Sequence, residues 1–303
     1  MTPLSRRTFL VASASLVLAA CGSSGSSGSS GTSSSSGTGE EPDQESAGPT
    51  SGLVAIRFFP DGVQPTGRQR LPIGLATSDG SLAEGGPATV TAQVIDGSGT
   101  VVGEPVTAER HDQGLPRAYY PFFTSLPAAG IYTLSIDLGG GTPAAVALSV
   151  TDPAQIAIPQ VGDQLVPVDT PTTADARGVD PICTRTPPCP LHERTLTEAL
   201  ASGKPVAFLI ATPAYCQTAA CGPVLDVLLS QQERLGDQVE MVHAEVYIND
   251  EPSPETVSEA VKAYELQFEP VLYLADAKGT IVERLDSIFD EVEVAAALDR
   301  LVA

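Results

Sequence analysis

The feature that most constrains the fold is a change in hydrophobic pattern across a Pro-rich segment, residues 152–190. Before it, in residues 51–151, short runs rich in Val, Ile, Thr, Tyr and Phe alternate with turn residues. Residues 89–94 alternate polar and apolar side chains, as a half-buried strand does. About seven strands at this spacing predict an antiparallel β-sandwich. The runs are 53–59, 71–77, 88–95, 100–106, 118–123, 131–138 and 144–150.

After the Pro-rich segment, in residues 191–303, helix and strand signals alternate. Thr195 and Glu198 form a capping box before a short helix, and Pro223 stands where a longer helix can begin. The continuous apolar run at 205–211 is typical of a strand covered on both faces. We therefore expect one mixed sheet with helices on both faces. The expected strands are 205–211, 239–248, 271–274 and 281–285, and the expected helices are 196–201, 223–236, 255–266 and 292–302.

Length and charge exclude some classes of function. A chain of 303 residues has room for two domains at the usual ~150 residues each. Its formal net charge of −21 opposes binding to nucleic acid, because that binding depends largely on neutralising phosphates. The same charge opposes adsorption to anionic lipid, and it also helps to keep an exported protein in solution.

The first 21 residues have the three-part pattern of a secretory signal. Arg6 and Arg7 precede an apolar run at 11–18 that is too short to span a bilayer, and Leu-Ala-Ala-Cys then ends at Cys21. The paired arginines followed by Phe-Leu resemble the twin-arginine export signal, and Leu-Ala-Ala-Cys resembles the lipobox of bacterial lipoproteins. The resemblance implies that lipid on Cys21 anchors the chain at the extracytoplasmic face of the cell membrane. An uncleaved anchor, or a chance cysteine after an apolar run, is the alternative.

Residues 22–50 consist almost entirely of Gly, Ser, Thr, Pro and acidic residues. Such a composition cannot bury a core, so we expect a disordered tether. As a flexible coil it would hold the next domain on the order of 30 Å from the membrane.

Four cysteines follow Cys21, and they form two pairs that are close in sequence: Cys183 with Cys189, and Cys216 with Cys221. An even number of cysteines in an exported chain favours disulfides, because they persist outside the cytoplasm. Three connectivities are possible on paper, and proximity favours pairing within each pair. For Cys183 and Cys189 we predict a structural disulfide, with exchange with Cys216 as the lesser option.

Residues 191–303 resemble the thioredoxin fold in three respects. The order of elements matches, Tyr-Cys-Gln-Thr-Ala-Ala-Cys-Gly-Pro directly follows the first long strand, and Glu269-Pro270 directly precedes a later one. The resemblance implies that Cys216 and Cys221 are the catalytic dithiol, that Tyr215 is the aromatic residue before the first cysteine, and that Pro270 is a cis-proline packed beside the pair. The positive end of a helix favours thiolate, the nucleophile in disulfide exchange.

Residues 126–134 resemble the corner that leads into a late strand of immunoglobulin-like domains, with Tyr132 as the corner tyrosine. The region departs from true immunoglobulins, since it contains no cysteine and the chain contains no tryptophan. An immunoglobulin-like sandwich is a statement about fold and carries no function.

The dithiol departs from the thioredoxin pattern, because four residues rather than two separate its cysteines. Within one regular helix this spacing would place them about 140° apart. The helix must therefore begin near Cys221, with Cys216 on the preceding loop. In an alternative alignment Val224 takes the place of the resolving cysteine and Cys216 is a new partner. The buried acid of many thioredoxins falls on Ile210, so proton transfer would need another base.

The sequence thus predicts a membrane-anchored thiol–disulfide oxidoreductase, with Cys216 attacking and Cys221 resolving. Its expected partners are exported thiol or disulfide proteins or a membrane electron donor, and no nucleic acid. No cofactor or resident metal is expected.

Two alternatives remain open. One is a non-catalytic interaction or scaffold lipoprotein in which both pairs are structural disulfides. The other is a copper-handling protein that uses Cys216, Cys221 and His243, as in the copper-delivery branch of the same fold. We expect the remaining histidines, His111 and His192, to form no ligand cluster, because they lie in other segments.

Overall fold

The computed structural model describes residues 52–83, 85–139 and 141–303. The predicted export signal with Arg6 and Arg7, the lipidation site Cys21 and the tether at 22–50 lie outside these residues. The strands are β1 (Leu53–Arg57), β2 (Gln64–Pro65), β3 (Gly67–Thr77), β4 (Thr89–Asp96), β5 (Val101–Glu109), β6 (Tyr120–Leu126), β7 (Gly130–Asp137), β8 (Ala144–Thr151), β9 (Val206–Ile210), β10 (Glu240–Ala244), β11 (Val271–Ala275) and β12 (Ile281–Asp286). The α-helices are α1 (Leu196–Ala201), α2 (Cys221–Leu235), α3 (Glu259–Ala263) and α4 (Glu291–Val302).

The first eight strands form a β-sandwich. One sheet has the order β1-β3-β6 and the other the order β2-β8-β7-β4-β5, and all neighbours are antiparallel except β2 with β8. Side chains of both sheets pack in a shared core, for example Val90 and Leu134 from one sheet and Ile73 from the other. The predicted sandwich and its seven strands are confirmed, with the two-residue β2 added. Tyr132 donates a hydrogen bond from its hydroxyl group to the carbonyl of Ala128, 2.9 Å away.

The remaining four strands form a mixed sheet in the order β10-β9-β11-β12. β9 and β10 are parallel, and the other neighbours are antiparallel. Every residue of β9 and β11 is buried, because α2 and α4 pack on one face of the sheet and α1 and α3 on the other. This layered arrangement is the one that the alternating signals predict. Among the described residues, no helix has the length and apolar composition needed to cross a membrane.

Two predicted elements are shorter in the structure. The strand expected at 239–248 ends at Ala244. The helix expected at 255–266 is divided into a 3-10 turn, Pro254–Thr256, and α3. The cause is Val257, which lies between the 3-10 turn and α3. Its extended backbone pairs with Tyr247 and so interrupts the helix.

The sandwich and the mixed sheet meet through buried polar side chains. Arg70 of β3 donates to both carboxylate oxygens of Glu293 in α4, with an Nη2–Oε2 distance of 2.6 Å. Tyr119 also bonds Glu293, and the His111 Nδ1 lies 2.9 Å from Asp290. Burial opposes charge on Arg70, but the Glu293 carboxylate outweighs it and raises the pKa of the guanidinium. These contacts hold the sandwich against α4, and they bring the loop after β5 close to α2.

Candidate functional site

Cys216 and Cys221 lie where a loop joins the N-terminus of α2. The helix begins at Cys221, and Cys216 lies on the loop after β9, which confirms the placement expected from their spacing. The backbone turns between them at Ala219, whose φ of 56° lies in the left-handed region that few non-glycine residues adopt. The two sulfurs lie within 4.8 Å of each other. Val224, the alternative partner, is fully buried in the core one turn further into the helix.

The two thiols have opposite electrostatic environments. The hydrogen bond from the Cys221 thiol lowers the pKa of Cys216 to about 5, helped by the Thr218 hydroxyl at 3.2 Å and the Cys221 amide at 3.4 Å. Cys216 is only partly buried, whereas Cys221 is fully buried. Burial, followed by the hydrogen bond to Cys216, raises the pKa of Cys221. At neutral pH the pair therefore consists of an accessible thiolate and a buried thiol.

Glu269 completes this group, and the sequence analysis missed it. One of its carboxylate oxygens lies within 4.8 Å of both sulfurs. Burial raises the pKa of this carboxyl group, and the negative charge of Cys216 raises it further. Ile210, where many thioredoxins carry an acid, is fully buried and apolar. The one available signal was the position of Glu269 directly before Pro270.

The other two predicted site residues lie nearby. The peptide bond between Glu269 and Pro270 is cis, as the resemblance implies. The Tyr215 ring is half-buried and meets Tyr247 edge to face, with centroids 6.2 Å apart. The catalytic roles of Tyr215 and Pro270 stay predictions.

A largely apolar cavity of about 220 Å³ opens beside the dithiol. One wall comes from the dithiol loop and from Phe268 and Glu269. Other lining residues come from the sandwich, and they include Phe58, Phe59 and Leu115. The sandwich therefore supplies part of the surface that a substrate at the dithiol would touch.

Cys183 and Cys189 lie elsewhere, in a cluster with His192 and His243 in which all four residues are buried. Two expectations are corrected here. His192 does belong to a ligand cluster, because the chain after Cys189 folds back against β10. His243 lies with Cys183 and Cys189 rather than with the dithiol, so the expected copper ligands Cys216, Cys221 and His243 do not form one group.

All four cysteines of the described residues are free thiols in the structure. The two disulfides expected from the sequence, Cys183–Cys189 and Cys216–Cys221, thus stay predictions. Each pair is close enough to interact, since the Cys189 amide donates to the Cys183 sulfur at 3.3 Å just as the Cys221 amide donates to Cys216.

No family model matches this sequence, and no curated protein is significantly similar to it. The chemistry of the site follows from its geometry: an accessible thiolate, a buried thiol and a carboxyl group within 4.8 Å of both. A thiolate attacks disulfides, and a neighbouring thiol can resolve the mixed disulfide that results. The arrangement is therefore suited to thiol–disulfide exchange.

Proposed function

We propose that this protein is a thiol–disulfide oxidoreductase whose dithiol is Cys216 and Cys221. The observation that carries the proposal is the asymmetry of the pair, since only Cys216 is both accessible and favoured as a thiolate. A structural disulfide has no need of such an asymmetry. The cis bond before Pro270 and the position of Cys216 ahead of α2 support a thioredoxin-like domain at 191–303.

The first step is attack by the Cys216 thiolate on a substrate disulfide. A bond forms between Cys216 Sγ and one substrate sulfur, while the substrate S–S bond breaks. The departing substrate sulfur leaves as a thiolate and takes a proton from solvent. The substrate is then held as a mixed disulfide on Cys216.

In the second step Cys221 attacks Cys216. The Cys221 thiol gives its proton to the Glu269 carboxylate, and the new thiolate forms the Cys216–Cys221 disulfide. The bond between Cys216 and the substrate breaks, and the departing thiolate takes the proton from Glu269 and leaves as the second substrate thiol. Two electrons have moved from the dithiol to the substrate. After this forward sequence a membrane electron donor would return the Cys216–Cys221 disulfide to its reduced form. The reverse sequence starts from the Cys216–Cys221 disulfide, oxidises a substrate dithiol and leaves the pair reduced.

The cavity beside the dithiol supports polypeptide substrates. Its apolar walls suit a hydrophobic side chain next to the target cysteine. Half of the residues that line the cavity belong to the sandwich. The hydrogen bond from Tyr132 to a carbonyl four residues upstream supports an immunoglobulin-like sandwich. In this proposal the sandwich completes the substrate site rather than acting only as a spacer.

The proposed location is the extracytoplasmic face of the cell membrane. It rests on the signal-like segment before Cys21 and on the tether-like composition of 22–50. Multiple acyl chains on one cysteine would hold the protein firmly, at roughly 0.8 kcal/mol per buried methylene group. Labelled fatty acid should be incorporated into the wild type and not into Cys21→Ala. A Cys21→Ala chain that is still labelled and membrane-bound would refute the lipid anchor.

Trapping a reaction intermediate tests the redox proposal. The full-length Cys221→Ser variant should accumulate a mixed disulfide with a peptide disulfide, because the resolving thiol is absent. Mass spectrometry should locate the adduct on Cys216. Cys216→Ser, the matched control, should form no adduct, although both variants lose one thiol of the same pair.

Two results would reject the enzyme and favour the non-catalytic scaffold. One is a wild-type chain that reduces no peptide disulfide and whose Cys221→Ser variant traps nothing. The other is a reduction potential for Cys216–Cys221 below about −300 mV, the range of structural disulfides in secreted proteins.

A further inference from the structure

The buried cluster around His243 has features that the proposed redox function does not use. Cys183 and Cys189 lie on the Pro-rich segment, His192 follows three residues later, and His243 lies on β10. All four side chains are at most 4% exposed, and their ligand atoms all lie within 4.8 Å of one another. From this geometry we propose that Cys183, Cys189, His192 and His243 bind one Zn²⁺ ion as a closed structural site.

The distances between donors fit a tetrahedral zinc ion. Zn–S bonds of about 2.3 Å and Zn–N bonds of about 2.05 Å require separations of about 3.6 Å between S and N and about 3.3 Å between two N atoms. His243 Nδ1 lies 3.5 Å from Cys189 Sγ, 3.9 Å from Cys183 Sγ and 3.2 Å from His192 Nε2. These three separations are close to those around one tetrahedral ion, and the other three are each within 4.8 Å.

The orientation of His243 is that of a metal ligand. Its Nε2 lies 3.1 Å from the carbonyl oxygen of Ala211, an acceptor only, so this nitrogen carries the proton. The other nitrogen, Nδ1, then presents its lone pair to the two sulfurs and to His192. Metal-binding histidines usually donate their second N–H to a carbonyl or carboxylate in this way.

His192 points to the same conclusion. The ring is 1% exposed, and its Nδ1 has no hydrogen-bond partner among the described residues. Hydrogen bonding at Nδ1 therefore does not explain why the ring is buried in this orientation. His192 Nε2 lies 3.2 Å from His243 Nδ1 and within 4.8 Å of both sulfurs, so it is the nitrogen in position to bind the same ion.

Zinc fits this donor set better than the other candidates. Two sulfur and two imidazole ligands in a closed tetrahedron are typical of structural zinc sites, whereas Cu(I) prefers an excess of sulfur. Binding releases both thiol protons, and the two thiolates balance the charge of the ion. A disulfide between Cys183 and Cys189, as the sequence predicts, would remove both sulfur ligands, so the two proposals exclude each other.

The ion would fasten the Pro-rich segment beneath the dithiol loop. Thr184, next to Cys183, donates its amide and its hydroxyl group to Glu245 at 2.6 and 2.8 Å. The same hydroxyl accepts from the amide of Ala214, two residues before Cys216. Through His243 zinc would attach this segment to β10 itself, and this attachment does not depend on the proposed redox activity.

Metal analysis of the full chain, purified under reducing conditions without chelator, tests the site. We expect one zinc per chain in the wild type and in Cys216→Ser, but a loss of stoichiometric zinc in His192→Gln and Cys189→Ser. His111→Gln, the control for loss of a histidine, should retain zinc. Co²⁺ exchanged into the wild type should give the absorption of a tetrahedral, thiolate-bound ion, a readout that does not require a variant to fold.

Several results would overturn the proposal. They are a zinc-free wild type that also fails to bind added Zn²⁺ after reduction, zinc retained by His192→Gln, and zinc lost from Cys216→Ser, which would place the metal at the dithiol. Stoichiometric Cu(I) in place of zinc would refute the choice of metal. A Cys183–Cys189 disulfide found by mass spectrometry in the native chain would refute the site as a whole. Apart from zinc lost from Cys216→Ser, none of these results bears on disulfide exchange by Cys216, so the two proposals fail separately.

Discussion

The two cysteine pairs of this protein use the same side chains in different surroundings. Cys216 and Cys221 lie at the N-terminus of α2, with Cys216 on the preceding loop. Cys216 is partly exposed, and a carboxyl group is nearby. Cys183 and Cys189 are both buried, and their neighbours are two imidazole rings. Spacing does not separate the pairs, because four residues lie within one and five within the other.

The difference shows that access and the neighbouring groups decide what a pair of thiols can do. An exposed thiolate beside a protonated thiol can react with a disulfide from outside. Two enclosed thiols beside imidazoles have no route to a protein substrate, but they offer a ready set of metal ligands. We therefore assign exchange to the first pair and metal binding to the second.

Replacing one cysteine in each pair with serine should give the largest difference between the two pairs. Cys216→Ser should lower peptide disulfide reduction on the order of 100-fold or more, because serine supplies no thiolate. Cys189→Ser should retain most of the activity at temperatures where it is folded. The rates should be measured together with thermal unfolding curves. Equal losses in two folded variants would contradict the division of roles.

Removing the carboxyl group of Glu269 should have the next largest effect. Glu269→Gln should slow resolution of the mixed disulfide by roughly 100-fold at neutral pH, since it removes the proposed base. Formation of the mixed disulfide should change little. Rapid-quench analysis of both steps would separate them, with Glu255→Gln, an exposed acid, as the matched control. An unchanged resolution rate would assign Glu269 a structural role.

The dependence of alkylation on pH should sharpen the contrast between the thiols. With a pKa of about 5, Cys216 of the reduced chain should react with iodoacetamide at a constant rate at neutral pH. The rate should fall to half near pH 5 as the thiolate is protonated. An ordinary thiol, with a pKa of about 8.5, would already react slowly at pH 7. Cys183 and Cys189 should stay unmodified until a chelator removes zinc.

The lowered pKa of Cys216 also makes the free energy of unfolding of the reduced protein depend on pH. A lowered pKa in the folded state stabilises the reduced protein above the ordinary thiol pKa, and this contribution is lost as the pH falls through 5. Acid unfolding curves of the reduced wild type and of Cys216→Ser should therefore converge below pH 5. Curves that stay equally far apart at all pH values would contradict the low pKa of Cys216.

The smallest predicted effect concerns the cavity beside the dithiol. Leu115→Ala should lower kcat/KM for a peptide disulfide several-fold, because a partial loss of apolar contact in a pocket is worth about 1 kcal/mol. Its rate with a small disulfide such as oxidised glutathione should stay the same. Val282→Ala, an exposed residue of β12, is the control. Equal losses on both substrates would show that Leu115 supports the fold only.

The sequence by itself determined the regular elements and the placement of the dithiol. Short β-rich runs between turn residues mark the seven sandwich strands, and the apolar run at 205–211 marks a strand buried on both faces. The position of Cys216 outside the helix follows from helix geometry alone. Two side chains with four residues between them point in different directions within one helix, about 140° apart. These are local properties, and local sequence is enough to specify them.

Only the tertiary structure decided the partners of each cysteine. Glu269 is 48 residues beyond Cys221, and His243 is 54 beyond Cys189, so no spacing rule connects them. The assignment of His243 to the dithiol was wrong because strand order, not distance along the chain, places its side chain. β9 lies between β10 and β11, so His243 on β10 and Pro270 at the start of β11 are on opposite sides of the central strand. Long-range packing thus gives two similar pairs of thiols different neighbours.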